Sequence, residues 1–220
     1  MNPESPHGSV SLRQLSRKVP GHDPASNLWV LTGSVGAIDA LRIFLGLLPE
    51  SLPVAFVLSL HIADSGMPML LNVLARSTRM RVGPARSNHV PRNGEVMVAP
   101  VGHAVSFGPG GELEIAPLGP VEEIDAPATD AIMVAVARRF RVHAGAVVFS
   151  GIGSDGAEGC REIAQYDGKV WVQDPESAPF SSMPGYIINS CDVAYCASPE
   201  HMAHRLIEDL DDSKFSTAVP

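Results

Sequence analysis

The sequence is poor in charged and aromatic residues, and the charge that it carries is mostly negative. Charged residues make up 18% and aromatic residues 5% of its 220 residues, and the formal net charge is -8. Nucleic-acid-binding domains usually present a basic face, and this sequence has no dense cluster of lysine and arginine. We therefore expect no nucleic-acid partner.

Cysteines and long apolar runs are also scarce. The three cysteines, Cys160, Cys191 and Cys196, lack the spacing of a zinc site, and an odd number favours reduced thiols in a cytoplasmic protein. The most apolar stretch, residues 28–62, is interrupted by glycine, proline and charged residues, so it predicts a strand, a helix and a strand. The first 21 residues lack the apolar core of a secretion signal. We expect a cytoplasmic protein with no membrane insertion and no metal.

Strand-like and helical patterns alternate through most of the chain. Residues 1–26 are punctuated by prolines and predict a flexible N-terminal tail, residues 27–210 predict one domain, and residues 211–220 predict a frayed C-terminal tail. The alternation predicts an α/β fold with a mainly parallel sheet. Residues 108–111, Gly-Pro-Gly-Gly, separate two short strand patterns and predict an antiparallel β-hairpin.

Three polar residues occupy equivalent places after three predicted strands. Ser34 follows residues 28–31, His61 follows residues 54–60, and Asp155 follows residues 146–150 and a glycine-rich turn. The carboxyl ends of parallel strands line one edge of a sheet, so these side chains are expected to meet there. A hydroxyl, an imidazole and a carboxylate are the nucleophile, base and orienting acid of a hydrolase.

Each of these residues taken alone also fits a local role. Ser34 and Asp155 are good helix N-caps, and His61 suits a strand end where its ring bonds to backbone. These local roles are favoured for each residue singly. One site explains all three more economically than three unrelated local roles.

The glycine-rich turn supports a second interpretation. Residues 151–156 match G-x-G-x-x-G between a strand and a helix, and Asp174 follows the next strand, as in a dinucleotide-binding oxidoreductase. However, that fingerprint normally opens the first strand–helix unit, and the Asp155 carboxylate would repel a pyrophosphate. We favour the hydrolase and keep the nucleotide-binding oxidoreductase as the alternative.

Several motifs in order resemble the catalytic domain of the chemotaxis protein-glutamate methylesterases, the CheB family. The resemblance covers about residues 27–210. It is carried by residues 33–37 (G-S-T-G-G in the family), 60–62 (the strand-end histidine), 99–103 (A-P-x-x-H), 150–159 (T-G-M-G-x-D-G-A-x-G), 173–177 (Q-D-x-x-S) and 183–184 (the M-P of G-M-P). The 150–159 motif is the most specific of these.

The resemblance implies a doubly wound sheet with helices on both faces and an antiparallel β-hairpin. It implies hydrolysis of glutamate methyl esters on chemoreceptor helices with release of methanol, and deamidation of receptor glutamines as a second activity. Ser34, His61 and Asp155 would be catalytic, and the backbone N–H groups of Val35 and Ile152 would bind the oxyanion. No metal or organic cofactor is expected.

The sequence departs from the family at several positions. Val35 replaces a threonine beside the nucleophile and Ile152 replaces a methionine, so a catalytically weakened scaffold of the same fold is a third hypothesis. Members usually carry an N-terminal receiver domain, which 26 residues cannot supply; a separate receiver protein or a longer natural chain would account for this. For receptor docking we name a set of arginines as candidates: Arg76, Arg79, Arg81, Arg86 and Arg92.

Overall fold

Seven parallel strands form the central sheet of the protein. The computed structural model describes residues 23–60, 64–118 and 128–212. The strands of the central sheet are β1 (Asn27–Gly33), β2 (Val54–Leu60), β3 (Arg81–Pro84), β4 (Glu95–Val98), β7 (Ala144–Val148), β8 (Lys169–Gln173) and β9 (Tyr195–Ala197). A separate antiparallel pair consists of β5 (His103–Phe107) and β6 (Leu113–Pro117).

The strand order β3-β4-β2-β1-β7-β8-β9 reverses direction at the centre of the sheet. From β1 the chain winds outward through β2 to one edge, and from β7 it winds outward to the other. Every pairing in this sheet is parallel. Such a reversal leaves a crevice at the carboxyl ends of the two central strands, which is where open α/β sheets bind ligands.

Helices cover both faces of the sheet, as the resemblance implies. The helices are α1 (Ala37–Leu47), α2 (Met67–Ser77), α3 (Thr129–Phe140), α4 (Ala157–Gln165), α5 (Ser182–Ser190) and α6 (Pro199–Asp212). Alternate residues of β1 serve the two cores: Trp29 and Leu31 pack with α1, α2 and α6, whereas Leu28 and Val30 pack with α3, α4 and α5. Because β1 is buried on both faces, its residues 28–31 form a continuous apolar run.

The predicted β-hairpin is confirmed, but it lies outside the main sheet. Val105 and Leu113 join the core beneath α3, and the Phe107 and Phe140 rings meet edge to face with centroids 5.5 Å apart. The doubly wound, mainly parallel α/β fold is likewise confirmed.

Some elements differ from the sequence-based expectation. The patterns did not predict the edge strand β3 or helix α5, and the last strand begins at Tyr195, two residues later than expected. Residues 23–26 of the predicted N-terminal tail are described, and they pair with residues 91–93; the Ala25 N–H donates to the Pro91 carbonyl at 2.8 Å. Residues 1–22 and 213–220, on which the rest of the two tail predictions falls, lie outside the described residues. Within the described ranges, no helix has the length and apolar character needed to cross a membrane.

Candidate active site

Two similar turns lead from the central strands into their helices at the carboxyl edge of the sheet. The Ser34 turn (residues 34–37, Ser-Val-Gly-Ala) follows β1, and the Asp155 turn (residues 154–157, Ser-Asp-Gly-Ala) follows β7 and the glycine-rich segment. In both turns the alanine N–H bonds to the serine carbonyl at 3.2 Å. The third residue is Gly36 at φ 81° or Gly156 at φ 85°, which are the backbone angles of a type II turn. Glycine is needed there because other residues rarely adopt a positive φ.

The Ser150 hydroxyl holds the Ser34 turn in place through hydrogen bonds. It donates to the Val35 carbonyl at 2.9 Å and accepts from the Phe180 N–H at 3.0 Å. The Ser34 N–H donates to the Ser150 carbonyl at 3.0 Å, and the Ser150 N–H donates to the Gln173 side chain at 2.8 Å. One buried residue thus ties the nucleophile turn, β8 and the loop before α5 together.

Gly151 lies directly against Ser34. A side-chain carbon added at Gly151 would come within 3.0 Å of the Ser34 Cβ and 2.9 Å of the Met183 sulfur. The Met183 N–H, at the start of α5, donates to the Gly151 carbonyl at 3.0 Å. The glycine therefore allows the Ser34 turn and α5 to close over the end of β7.

Asp130 fixes the start of the helix that follows Asp155. Its carboxylate, in the first turn of α3, accepts from the Gly159 N–H at 2.7 Å and also bonds the Gly156 N–H. Burial raises the pKa of Asp130 above its ordinary value; the charge of Asp155 adds to this, and the two N–H groups oppose it. Sequence reasoning missed Asp130 because helix-start acids are common and nothing local marks this one.

Ser34 and His61 each follow the last residue of one of two neighbouring strands, and those last residues are paired. Gly33 pairs with Leu60 in the parallel register of β1 and β2, one residue before Ser34 and His61. His61 itself lies outside the described residues, so its place in the site stays a prediction. Its described neighbour Ser59 is buried and shares a 2.9 Å hydrogen bond with the Thr129 hydroxyl, which links β2 to the start of α3.

The predicted oxyanion donors are the N–H groups of Val35, in the Ser34 turn, and of Ile152, in the glycine-rich segment. Within the described ranges, neither the Val35 nor the Ile152 N–H donates a hydrogen bond to another residue. Three apolar side chains surround this edge and remain accessible: Val35 is 49%, Ile152 57% and Phe180 40% exposed. The arrangement offers a hydroxyl, two available N–H groups and an apolar rim, which suits acyl transfer on an uncharged substrate.

The family model described as CheB methylesterase matches residues 29–206. The chain belongs to the CheB methylesterase family. It is 32% identical over 161 residues to protein-glutamate methylesterase/protein-glutamine glutaminase 1 of Carboxydothermus hydrogenoformans, covering 71% of this chain and 47% of that protein. It is 33% identical over 160 residues to the enzyme of that name from Myxococcus xanthus strain DK1622, covering 71% and 45%.

The fold of the CheB catalytic domain is also matched in a solved structure. The Thermotoga maritima CheB methylesterase catalytic domain superposes with a TM-score of 0.76 at 22% identity, covering 83% of this chain and 97% of that chain. The present chain spans about half the length of the curated relatives that it matches.

Membership of the CheB family favours the hydrolase over the dinucleotide interpretation of the glycine-rich turn. The packing agrees, because Gly151 faces Ser34 and Met183 instead of an open phosphate position. Asp174, the candidate ribose-binding acid, accepts from the Glu176 N–H at 3.0 Å and so shapes its own turn. Among the described residues, no three histidine, cysteine, aspartate or glutamate side chains cluster as metal ligands.

Most of the arginines named for docking lie away from the carboxyl edge of the sheet. Helix α2 returns from the carboxyl end of β2 to the amino end of β3, so its last turn is remote from Ser34. Arg81 begins β3, where its N–H donates to the Gly94 carbonyl and its guanidinium pairs with Glu95 at 3.4 Å. The members at the amino edge are Arg76, Arg79, Arg81 and Arg92; only Arg86 follows the carboxyl end of β3. These four arginines therefore lie away from Ser34, and their role in receptor docking stays a prediction.

Proposed function

We propose that this chain is a serine hydrolase that demethylates glutamate methyl esters, and deamidates glutamines, on chemoreceptor-type proteins. Residues 27–210 would form its catalytic domain between two tails. The observation that carries the proposal is the Ser34 turn, held by Ser150 at the end of β7, the strand that leads to Asp155, at the point where the strand order of a CheB-family fold reverses. The names of the curated relatives, protein-glutamate methylesterase/protein-glutamine glutaminase, support it.

In the proposed reaction Ser34 attacks the ester carbonyl while His61 removes the hydroxyl proton. Asp155 orients the imidazole and stabilises its charged form. The N–H groups of Val35 and Ile152 bind the developing oxyanion, each donor contributing roughly 3 kcal/mol to transition-state stabilisation. His61 returns the proton to the departing methoxide, methanol leaves, and water hydrolyses the acyl-enzyme. The side chains and the two backbone N–H groups would supply each of these roles without a cofactor.

The apolar rim of the site fits the esterified form of the substrate. A glutamate methyl ester is uncharged, whereas the glutamate product is ionised and costs more to desolvate beside Val35, Ile152 and Phe180. The rim lies open at the sheet edge, so a side chain on a receptor helix can reach Ser34. The partners proposed are thus methylated cytoplasmic receptor helices, with a separate receiver protein as the regulator and the cytoplasm as the location.

The test compares the two equivalent turns. Ser34→Ala is expected to abolish methanol release from a receptor fragment carrying methyl-esterified glutamates, and to abolish labelling by a fluorophosphonate. Ser154→Ala is the matched control, because Ser154 holds the same position in the Asp155 turn but is exposed and has no assigned role. Undiminished methanol release by Ser34→Ala would refute the mechanism. Saturable binding of NAD(P) in a calorimetric titration would favour the oxidoreductase alternative.

A further inference from the structure

Two cysteines that have no part in the proposed reaction lie against each other between α4 and α5. Cys160 is fully buried in α4, with its sulfur 4.0 Å from the Met133 sulfur. Cys191 directly follows α5 and is half-buried; its sulfur lies 3.3 Å from the Ala157 carbonyl, one helical turn before Cys160 on the same face of α4. The interaction between the two thiols shifts the pKa of each, in keeping with neighbouring side chains on α4 and at the end of α5.

The surroundings of Cys191 favour its thiolate. Hydrogen bonds from the Cys160 thiol and the Ser190 hydroxyl, and the positive charge of Arg161, lower the pKa of Cys191 to about 6, although burial opposes this and the Cys191 thiol also donates to the Ala157 carbonyl at 3.3 Å. Contact with the Cys191 sulfur and burial raise the pKa of Cys160, so Cys160 keeps its proton. One thiolate beside one protonated thiol is the arrangement of a reactive cysteine with a resolving partner.

The third cysteine provides an internal comparison. Cys196, in β9, is exposed, but burial of its sulfur and the negative charge of Asp174 raise its pKa. Exposure alone would make Cys196 the most reactive thiol of the chain. Cys191 is instead expected to react first, because its lower pKa gives it the larger fraction of thiolate and the thiolate is the nucleophile.

We propose that Cys160 and Cys191 form an oxidant-sensitive pair that a peroxide converts to an intramolecular disulfide joining α4 to the end of α5. The Cys191 thiolate attacks one peroxide oxygen, the O–O bond breaks, and hydroxide leaves to give a sulfenic acid. The Cys160 sulfur then loses its proton and attacks the Cys191 sulfur; the S–O bond breaks and water leaves. Two thiols are oxidised by two electrons and one peroxide is reduced to two waters.

The proposed link lies next to the candidate active site but does not depend on it. Helix α4 begins at the Asp155 turn, and Met183 in the first turn of α5 packs against Gly151. The disulfide would therefore connect the two helices that flank the glycine-rich segment. The proposal rests on the contacts of the two cysteines themselves, so it can be tested separately from the esterase activity.

The experiment treats the reduced, full chain with hydrogen peroxide and measures its intact mass and its unreduced tryptic peptides. The wild-type chain is expected to lose about 2 Da and to yield a peptide pair joined through Cys160 and Cys191. Cys196→Ser is the matched control and is expected to lose the same mass. In Cys160→Ala the resolving thiol is gone, so Cys191 is expected to gain about 16 Da and react with dimedone.

A second measurement needs no variant. Limiting iodoacetamide at pH 7 is expected to label Cys191 before the more exposed Cys196. Labelling of Cys196 first, or oxidation of the wild-type chain to Cys196-linked dimers or to oxygen adducts without the 160–191 peptide pair, would overturn the proposal.

Discussion

Replacing Ser150 by alanine is expected to reduce activity more than its effect on stability would suggest. The change removes the hydroxyl that bonds the Val35 carbonyl at 2.9 Å and the Phe180 N–H at 3.0 Å, together with its longer contact to the Phe180 carbonyl at 3.3 Å, and it leaves the backbone hydrogen bonds of the residue in place. Ser34 then keeps its N–H bond to the Ser150 carbonyl but loses the bond that orients the next peptide group of its turn.

The size of the stability loss follows from those two hydrogen bonds. A hydrogen bond contributes about 1 kcal/mol net, and up to about 3 kcal/mol is lost when its partner stays buried and unpaired. Water can reach the half-exposed Val35 and Phe180, so the low end applies and the loss is about 2 kcal/mol. For a chain of this size, that lowers Tm by about 4–8 °C. A turn displaced by about 1 Å lowers kcat by roughly 100-fold.

The assay measures methanol release under saturating receptor fragment, together with thermal unfolding. Ser77→Ala is the matched control: the Ser77 hydroxyl donates to the Val73 carbonyl at 2.8 Å and accepts from Arg42 Nε at 3.1 Å, at the end of α2 remote from Ser34. It is expected to lose a similar part of its stability but to keep its kcat. Ser150→Thr keeps the hydroxyl, matches the threonine of the family motif, and is expected to restore turnover.

One result would refute this reasoning. If Ser150→Ala unfolds at the lower temperature but releases methanol at the wild-type kcat, the hydroxyl supports the fold without positioning the nucleophile turn.

Two further variants test the turn and the pH dependence of stability. Gly36→Ala places a side chain on a residue at φ 81°, with its Cβ 2.8 Å from the Ser150 hydroxyl, and it is expected to lower the free energy of unfolding by at least about 1 kcal/mol and to remove most of the turnover. Gly83→Ala is the control, because a Cβ there meets no atom within 4 Å, and equal losses in both variants would contradict the strain argument. Burial disfavours ionised Asp209, but hydrogen bonds from Lys169 and Arg205 outweigh it and hold its pKa below the ordinary value of 3.8. A group with a depressed pKa stabilises the fold above pH 3.8, and this stabilisation is lost as the pH falls through the folded-state pKa. In urea melts, the free energy of unfolding of Asp209→Asn is therefore expected to fall less at acid pH than that of the wild-type chain. Identical dependence of this free energy on pH in both proteins would count against the ion pair.

The parts of the fold that sequence predicted well are those with a long apolar period. Strands β1 and β2 and helices α1 and α2 were placed within a few residues, because both faces of the strands and one stripe of each helix are buried. Strand β3 was missed because its four residues, Arg-Val-Gly-Pro, are half-exposed at an edge and include a proline. Helix α5 was missed because Pro184 and Gly185 resemble loop residues, although proline is well tolerated in a first helical turn.

The sequence predicted which strand ends carry the candidate site residues, but not which residues hold the turns of the site in place. Placement after parallel strands was enough to name Ser34 and Asp155, since topology decides which strand ends meet. Ser150 could not be recognised as the anchor of the Ser34 turn, because a serine at a strand end gives no sign of which distant carbonyl it will bond. The repeated Ser-x-Gly-Ala of residues 34–37 and 154–157 indicates that the two turns are alike, but it does not indicate which residue anchors them.

Because the strand order reverses between β1 and β7, the candidate site lies at the ends of the two central strands, which are expected to separate last when the sheet opens. Edge strands β3 and β9 have four and three residues and pair on one side only, so transient local opening is easiest there. The bonds joining Ser34 to Ser150 link two interior strands that such opening does not reach. The link between the Ser34 turn and β7 should therefore resist fluctuations that fray the edges of the sheet. The Ser34 N–H, which is bonded to the Ser150 carbonyl, should exchange with solvent far more slowly than the Val35 N–H, which has no acceptor among the described residues.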